Sequence, residues 1–418
     1  MRSAVAAGGL TVLGAAARGQ ARKTFKAGLI GCGGRGTGAA ANIIDAGKAV
    51  GVEVRFTALA DAFADRMRGT RGALKRRGQE VPQERCFAGF DAYKKLIDSD
   101  VDMVLMATPP NFRPVHFQAA VQAGKHTFIE KPVAVDPAGC RTMYQTGELA
   151  AKKGLAVLSG LCLRHHVGYA GMRARIADGS IGRVLGGIVY YCVGRLWHRD
   201  RKEGWSDAEY LARNWVNFTQ LSGDHIVEQH VHTIDMLNWC VGEHPLAAVA
   251  IGARHRRITG NQYDCFGVDF EFPRQLHVHS LSRQINGCWN RGNGVHLLGQ
   301  KGWADNGGGV RLWEDDRRLE PPKLDFHRSM YVQEHIVLLK SLLKGEPVND
   351  AKAVTDATLS AIMGRIAAYT GQRVTWEQLT DPQAKGSLAN LEVQPTAKDF
   401  ETGEVMVPEE KPPVPGKG

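Results

Sequence analysis

Short apolar runs along residues 25–163 alternate with stretches whose apolar positions recur every three or four residues. FKAGLIG leads into a glycine turn and the helical pattern RGTGAAANII, and VRFTALAD (54–61) follows as a second strand. DAYKKLIDSD (91–100) predicts a helix, VDMVLMAT (101–108) a strand, and PPNFRP a loop that opens a further helix. HTFIEKP (126–132), a helix over 137–153 and LAVLSGLCL (155–163) complete the series. Strands alternating with helices build a parallel sheet with helices on both faces. Residues 24–155 are therefore expected to form an α/β, doubly wound domain of the Rossmann type.

From about residue 185 the rhythm changes. LGGIVYYCVGR, LAAVAIGARH, CFGVDFEF, LHVHSLSRQ and GVHLLGQKG are strands in near succession, with a histidine-rich helix between the first two. That pattern predicts an α+β domain over 156–375 with a mostly antiparallel open sheet. Helices over 330–345 and 351–370 follow, and the Pro-, Glu- and Lys-rich residues 376–418 predict an extended tail.

Composition narrows the classes. The chain of 418 residues, 43% hydrophobic and 23% charged, is long enough for two ordinary soluble domains. Its net charge of +10 is dispersed. The runs RMRGTRGALKRR and RHRR read as solvated faces, with no nucleic-acid-binding signature beside them. Eight cysteines without a C-x-x-C pair are neither a disulfide framework nor a zinc ribbon. The first 21 residues, MRSAVAAGGLTVLGAAARGQA, combine an early Arg, a weakly apolar run and Ala-rich cleavage choices. They predict an export signal of the twin-arginine (Tat) type although the twin arginine is absent, and hence a periplasmic location; without such a signal the location would be cytoplasmic. The run is too short and too rich in Gly and Ala for a membrane span.

Candidate chemistry begins at the glycine turn. Gly31-Cys32-Gly33-Gly34-Arg35-Gly36 fits G-x-G-x-x-G between a strand and a helix, and an acid, Asp61, ends the next strand. Gly31 allows the tight turn, Gly33 the approach of a pyrophosphate, and Gly36 helix–sheet packing. A helix N-terminus there favours anions. Asp61 would accept ribose hydroxyls and disfavour a 2′-phosphate, so NAD is expected over NADP.

Residues 222–239, SGDHIVEQHVHTIDMLNW, raise a second question. On one continuous helix Glu228 and His232 share a face, Asp235 joins it, His225 comes near it and His230 points away. HIVEQH has one residue too many for the inverted zinc-protease motif, so no metal site is expected. A carboxylate one turn before an imidazole suits proton transfer. Between a strand and this helix, GRLWHRDRKEGWSDAEYLARNWVNF (194–218) offers Trp197, Trp205, Trp215 and Arg213 to a sugar ring, or equally to loop packing or a subunit contact.

GLIGCGGRG, ATPPNFRPVHFQAAVQAGKHTFIEKP and the 222–235 segment together resemble the glucose–fructose oxidoreductase / inositol dehydrogenase (Gfo/Idh/MocA) family, over most of residues 25–372. The resemblance implies an NAD-dependent sugar or glycoside dehydrogenase. Its cofactor contacts would be Gly31, Gly33, Gly34, Arg35, Gly36, Asp61, Thr108, Pro109, Asn111, His116, Glu130 and Lys131. Lys131 of Glu130-Lys131-Pro132 would lie beside the nicotinamide. The family's G-G-x-x-x-x-D-x-x-x-H-x-x-D motif maps its catalytic aspartate to Glu228, its histidine to His232 and its final aspartate to Asp235, with Ser222 at the first glycine.

Lys131 would polarise the substrate oxygen or take its proton, His232 would exchange that proton with solvent, and Glu228 would fix the His232 tautomer. Arg164, His165, Arg213, Trp215, Asp224, His225 and His232 are the expected substrate contacts. Some relatives instead oxidise a sugar transiently, eliminate, add water and reduce the ring again, which makes a glycoside hydrolase or lyase the alternative. A non-catalytic NAD- or sugar-binding protein is the third. The open sheet face suits a homodimer or homotetramer.

Overall fold

The computed structural model describes residues 23–288, 292–306, 309–412 and 414–415; the expected export segment lies outside them. Strands β1 (Thr24–Ile30), β2 (Glu53–Asp61), β3 (Cys86–Ala88), β4 (Met103–Met106), β5 (His126–Ile129) and β6 (Val157–Ser159) form one sheet in the order β3-β2-β1-β4-β5-β6. Every neighbouring pair is parallel. The strand order reverses between β1 and β4, so the ends of β1, β2, β4 and β5 open onto one crevice. β4 is buried at all four positions, as a strand covered on both faces must be.

The second sheet contains β7 (Val184–Val193), β8 (Ala247–Ala253), β9 (Cys265–Phe272), β10 (Leu276–Gln284), β11 (Gly292–Gly299), β12 (Gly302–Asp305), β13 (Gly309–Leu312), β14 (Arg318–Leu319) and β15 (Val374–Thr375). Its order is β14-β13-β12-β11-β7-β10-β9-β8-β15, antiparallel except for β7 with β10. Buried and less buried residues alternate along β9 and β10, which gives the sheet one core face and one open face. Helices Val231–Val241 and Ala351–Thr370 cover the core face. Arg365 of the latter is fully buried and donates to the carbonyls of Val135 (2.7 Å) and Gly223 (3.2 Å), joining the chain after Lys131 to the start of the histidine-rich segment.

Three expectations need correction. The single helix over 222–239 is broken into Thr219–Ser222, His225–Glu228 and Val231–Val241. Gly223 and Asp224 stand at φ +78° and +83°, and non-glycine residues occupy that region only when their surroundings hold them there. The C-terminal segment, expected as an extended tail, carries the short helices Trp376–Thr380 and Ala397–Thr402, and Phe400 on the second packs against Phe90 and Phe112 with ring centroids 5.2 and 5.0 Å away. Within RHRR, Arg257 is buried and donates to Asn217 (3.1 Å) and Gln284 (2.6 Å).

Candidate active site

The glycine turn closes β1 and opens the helix Gly34–Val50. Gly31 takes φ +93°, and a Cβ on Gly36 would lie 1.9 Å from the Gly31 carbonyl oxygen, so only glycine fits at either position. Around Gly33 and Gly34 the space is open, with nothing within 4 Å of an added Cβ. This leaves a cradle at a helix N-terminus, where unpaired N–H groups attract a diphosphate. Asp61 ends β2 with Oδ2 accepting from Cys32 N (2.7 Å) and Oδ1 from Phe63 N (2.9 Å). Each oxygen keeps a second lone pair for a ribose hydroxyl. A cavity of about 340 Å³ lies on this turn, walled by Asp61, Thr108, Pro109 and His116 and, from the other domain, by Trp197, Arg213 and Trp215. The residues present fit a dinucleotide.

Lys131 follows β5 at the same end of the sheet. Its Nζ donates to Glu228 Oε1 at 3.0 Å and also to the Glu228 backbone carbonyl. The second bond occupies a carbonyl at the end of the short helix His225–Glu228, while His232 N turns to Gln229 O at 3.3 Å. Glu228 thus grips Lys131, where the helical register had assigned it to the His232 ring. Burial, and then the Lys131 charge, hold the His232 imidazole well below its ordinary pKa, so it is neutral. His232 Nδ1 has no hydrogen-bond partner among the described residues. Tyr191 on β7 faces Glu228 from the sheet; burial and that carboxylate push its hydroxyl up to about 12. The alternation of β7 gave no sign of a functional tyrosine.

The other expected substrate contacts scatter. Arg164 makes two hydrogen bonds to buried Asp235 (2.7 and 2.8 Å), and burial together with Arg164 holds the His165 ring down at about 4. Asp224 is fully buried and accepts from Tyr369 Oη and His225 N; His225 is buried beside Ser282 (3.2 Å). Neither lines the cavity on the glycine turn. Arg213 binds Asp65 (2.8 and 3.1 Å) and covers the Phe63 ring at 3.9 Å. With Trp215 it lines the cavity that also holds Asp61.

Among the expected cofactor contacts, Asn111 is buried with both amide atoms unpaired among the described residues, His116 is held at about 3 by burial, and Glu130 pairs with Arg35 at 3.0 Å. Phe63, Phe90, Tyr93, Arg66 and Arg199 also line the cavity. They come from loops and helix ends with no periodic signal. Among the described residues, no group of three or more His, Cys, Asp or Glu is placed to hold a metal, and no helix is long and apolar enough to cross a membrane.

The 3-2-1-4-5-6 sheet, its glycine turn and the acid after β2 define an NAD-binding oxidoreductase domain. Residues 25–161 match the family described as "Oxidoreductase family, NAD-binding Rossmann fold", and residues 169–305 match the GFO/IDH/MocA C-terminal domain. The chain belongs to the Gfo/Idh/MocA family, a family of NAD-dependent sugar oxidoreductases. It is 26% identical over 200 residues to a 2,7-anhydro-N-acetylneuraminate hydratase of Escherichia coli, covering 47% of this chain and 50% of that protein. With an inositol 2-dehydrogenase of Azotobacter vinelandii it shares 27% over 167 residues, 39% of this chain and 42% of the relative. The matches thus span about half the length of these curated relatives. A levoglucosan dehydrogenase in complex with NADH and levoglucosan superposes with a TM-score of 0.67 at 19% identity, covering 84% of this chain and 99% of that one. An aldose–aldose oxidoreductase from Caulobacter crescentus gives 0.64 at 19%, covering 84% and 100%. These two likenesses show the fold.

Proposed function

We propose that the protein oxidises a secondary hydroxyl of a sugar or glycoside. The observation that carries this reading is Lys131, at the end of β5, held 3.0 Å from Glu228 close to a neutral His232. When bound, the nicotinamide ring supplies a two-electron acceptor for the carbinol hydride. Lys131 polarises the hydroxyl oxygen, Glu228 fixes the Lys131 amine, and the His232 imidazole receives the hydroxyl proton and passes it to solvent. Incubating the purified protein and NAD with a glycoside panel, while following both NADH and free aglycone, tests this; no change in either signal across the panel contradicts it.

The hydratases among the relatives favour a second reading, in which the same hydride transfer is transient and the product is a hydrolysed or eliminated sugar. Free aglycone without accumulating NADH supports that variant.

Two further proposals concern the whole protein. Export rests on the composition of the first 21 residues, and cell fractionation with and without them tests it. A homodimer or homotetramer rests on the open sheet face.

A further inference from the structure

The helix Met330–Lys344 sends one acid, Glu334, behind the dinucleotide site. Glu334 is fully buried, and neither of its carboxylate oxygens has a hydrogen-bond partner among the described residues. An unpaired buried carboxylate costs several kcal/mol or more, and the cost falls away when the group takes up a proton. Its surroundings sharpen the point. Glu130 is the neighbouring charge that acts on it most strongly, and Arg35 acts with the opposite sign. Glu130 sits against Gly160, where an added Cβ would lie 2.5 Å from Glu130 Oε2, and binds Arg35 at 3.0 Å. Arg35 belongs to the glycine turn, lines the cavity, and has Tyr331 of the same helix stacked 5.0 Å from its guanidinium. Its Nη2 is buried and has no partner among the described residues.

We propose that Glu334 is a positioning residue for the dinucleotide: uncharged, it leaves Arg35 to Glu130 and the cofactor phosphates, and ionised, it competes for that guanidinium and weakens binding. This rests on the dinucleotide site and is independent of which sugar is oxidised. The other groups around Glu334 can be named. Asp350 is held by Ser159 and pushed up to about 6 by burial, and Cys162 is pushed up to about 12. His335, its ring tilted against that of Phe128 with centroids 4.2 Å apart, is held down at about 3 by burial and then by Arg35. Tyr331 is raised by burial and then Cys162. Lys131 follows Glu130 in the chain. Glu334 differs from these groups in being a fully buried carboxyl with both oxygens unpartnered among the described residues, acted on by both Glu130 and Arg35. Burial and then Glu130 raise the Glu334 pKa well above its ordinary value, so the uncharged form persists to higher pH than in a free carboxyl and is lost as pH rises. Linkage is reciprocal: if ionisation weakens binding, binding draws in a proton.

The test is NADH affinity measured by fluorescence from pH 6 to pH 10, with circular dichroism and thermal melting as fold controls. Wild type should lose affinity by about tenfold toward alkaline pH, the size of an ordinary coupling. Glu334→Gln, neutral at every pH, should keep the tight neutral-pH affinity and show a flatter profile. Glu334→Ala should bind less tightly at all pH values, since it opens a cavity behind Arg35. A Glu334→Gln profile that follows wild type, or a wild-type profile that is flat, overturns the proposal. If Glu334→Gln does not fold, calorimetry of NADH binding to wild type in two buffers of different ionisation enthalpy decides it. Net proton uptake at alkaline pH supports the proposal, and none overturns it.

Discussion

Lys131 and Glu228, 97 positions apart in the chain, meet across the two domains: one ammonium group donates to both the side chain and the backbone carbonyl of one glutamate. The contact ties the end of the parallel sheet to the short helix beside His232. It also explains how a glutamate stands where the family motif carries a shorter aspartate. The acid serves Lys131 directly.

Replacing Lys131 with Met should lower turnover by ~10²–10⁴-fold, the usual contribution of a positioned proton-transfer group. NADH affinity should change little, because the glycine turn and Asp61 are untouched. Both Glu228→Gln and Glu228→Ala keep the backbone carbonyl that accepts from Lys131, but only Gln keeps a side-chain oxygen to accept a second bond, so it should lose less than Ala. Steady-state rates and NADH titrations on the three variants check this. A Glu228→Ala variant as active as wild type would show that the side chain does not hold Lys131 for catalysis.

His232 should stay a neutral imidazole to lower pH than a free histidine, which histidine-selective NMR can read. The sign for stability follows from its depressed pKa. Below about pH 6.5 the unfolded chain takes up a proton that the folded site refuses, so stability present at higher pH is lost as pH falls, by up to about 1.4 kcal/mol per unit. His232→Asn should therefore show a shallower acid limb than wild type in denaturant titrations at stepped pH.

Asp235 shares the family motif with His232, yet its two oxygens are taken by Arg164. Asp235→Ala leaves that guanidinium without its buried partner and should destabilise the fold by about 3–5 kcal/mol. Urea unfolding measures it. A variant as stable as wild type but devoid of turnover would instead make Asp235 part of the chemistry.

The open face of the second sheet exposes Ile251 (78%) and Val249 (45%) on β8 and Leu281 (45%) on β10, on either side of β9. If copies of the chain pair through this face, Ile251→Asp should shift the assembly toward monomer at unchanged melting of the isolated subunit. Light scattering after size exclusion shows the mass; an unaltered assembly places the interface elsewhere.

Much of this was legible in local pattern. The buried run VLM in β4, the alternation of β9 and β10, and Gly31 and Gly36 all act through neighbours a few positions away, where strand period and turn chemistry operate. The broken helix at 222–239 was not legible. Its interruption depends on Asp224 held at positive φ by Tyr369, 145 positions away, and on Lys131 drawing off the Glu228 carbonyl. The pairing of Arg213 with Asp65, 148 positions earlier, was not legible either. Glu334 looked like any polar position in an amphipathic helix, because only the tertiary packing shows that it faces Glu130.

The most direct measurement is a single-turnover experiment that mixes NAD-loaded protein with a glycoside turned over in the panel and records reduced-nicotinamide absorbance. The account predicts a rise in wild type, lasting or transient, that Lys131→Met abolishes while still binding NADH. Turnover of the glycoside with no reduced nicotinamide at any time, or a Lys131→Met trace as fast as wild type, would contradict it.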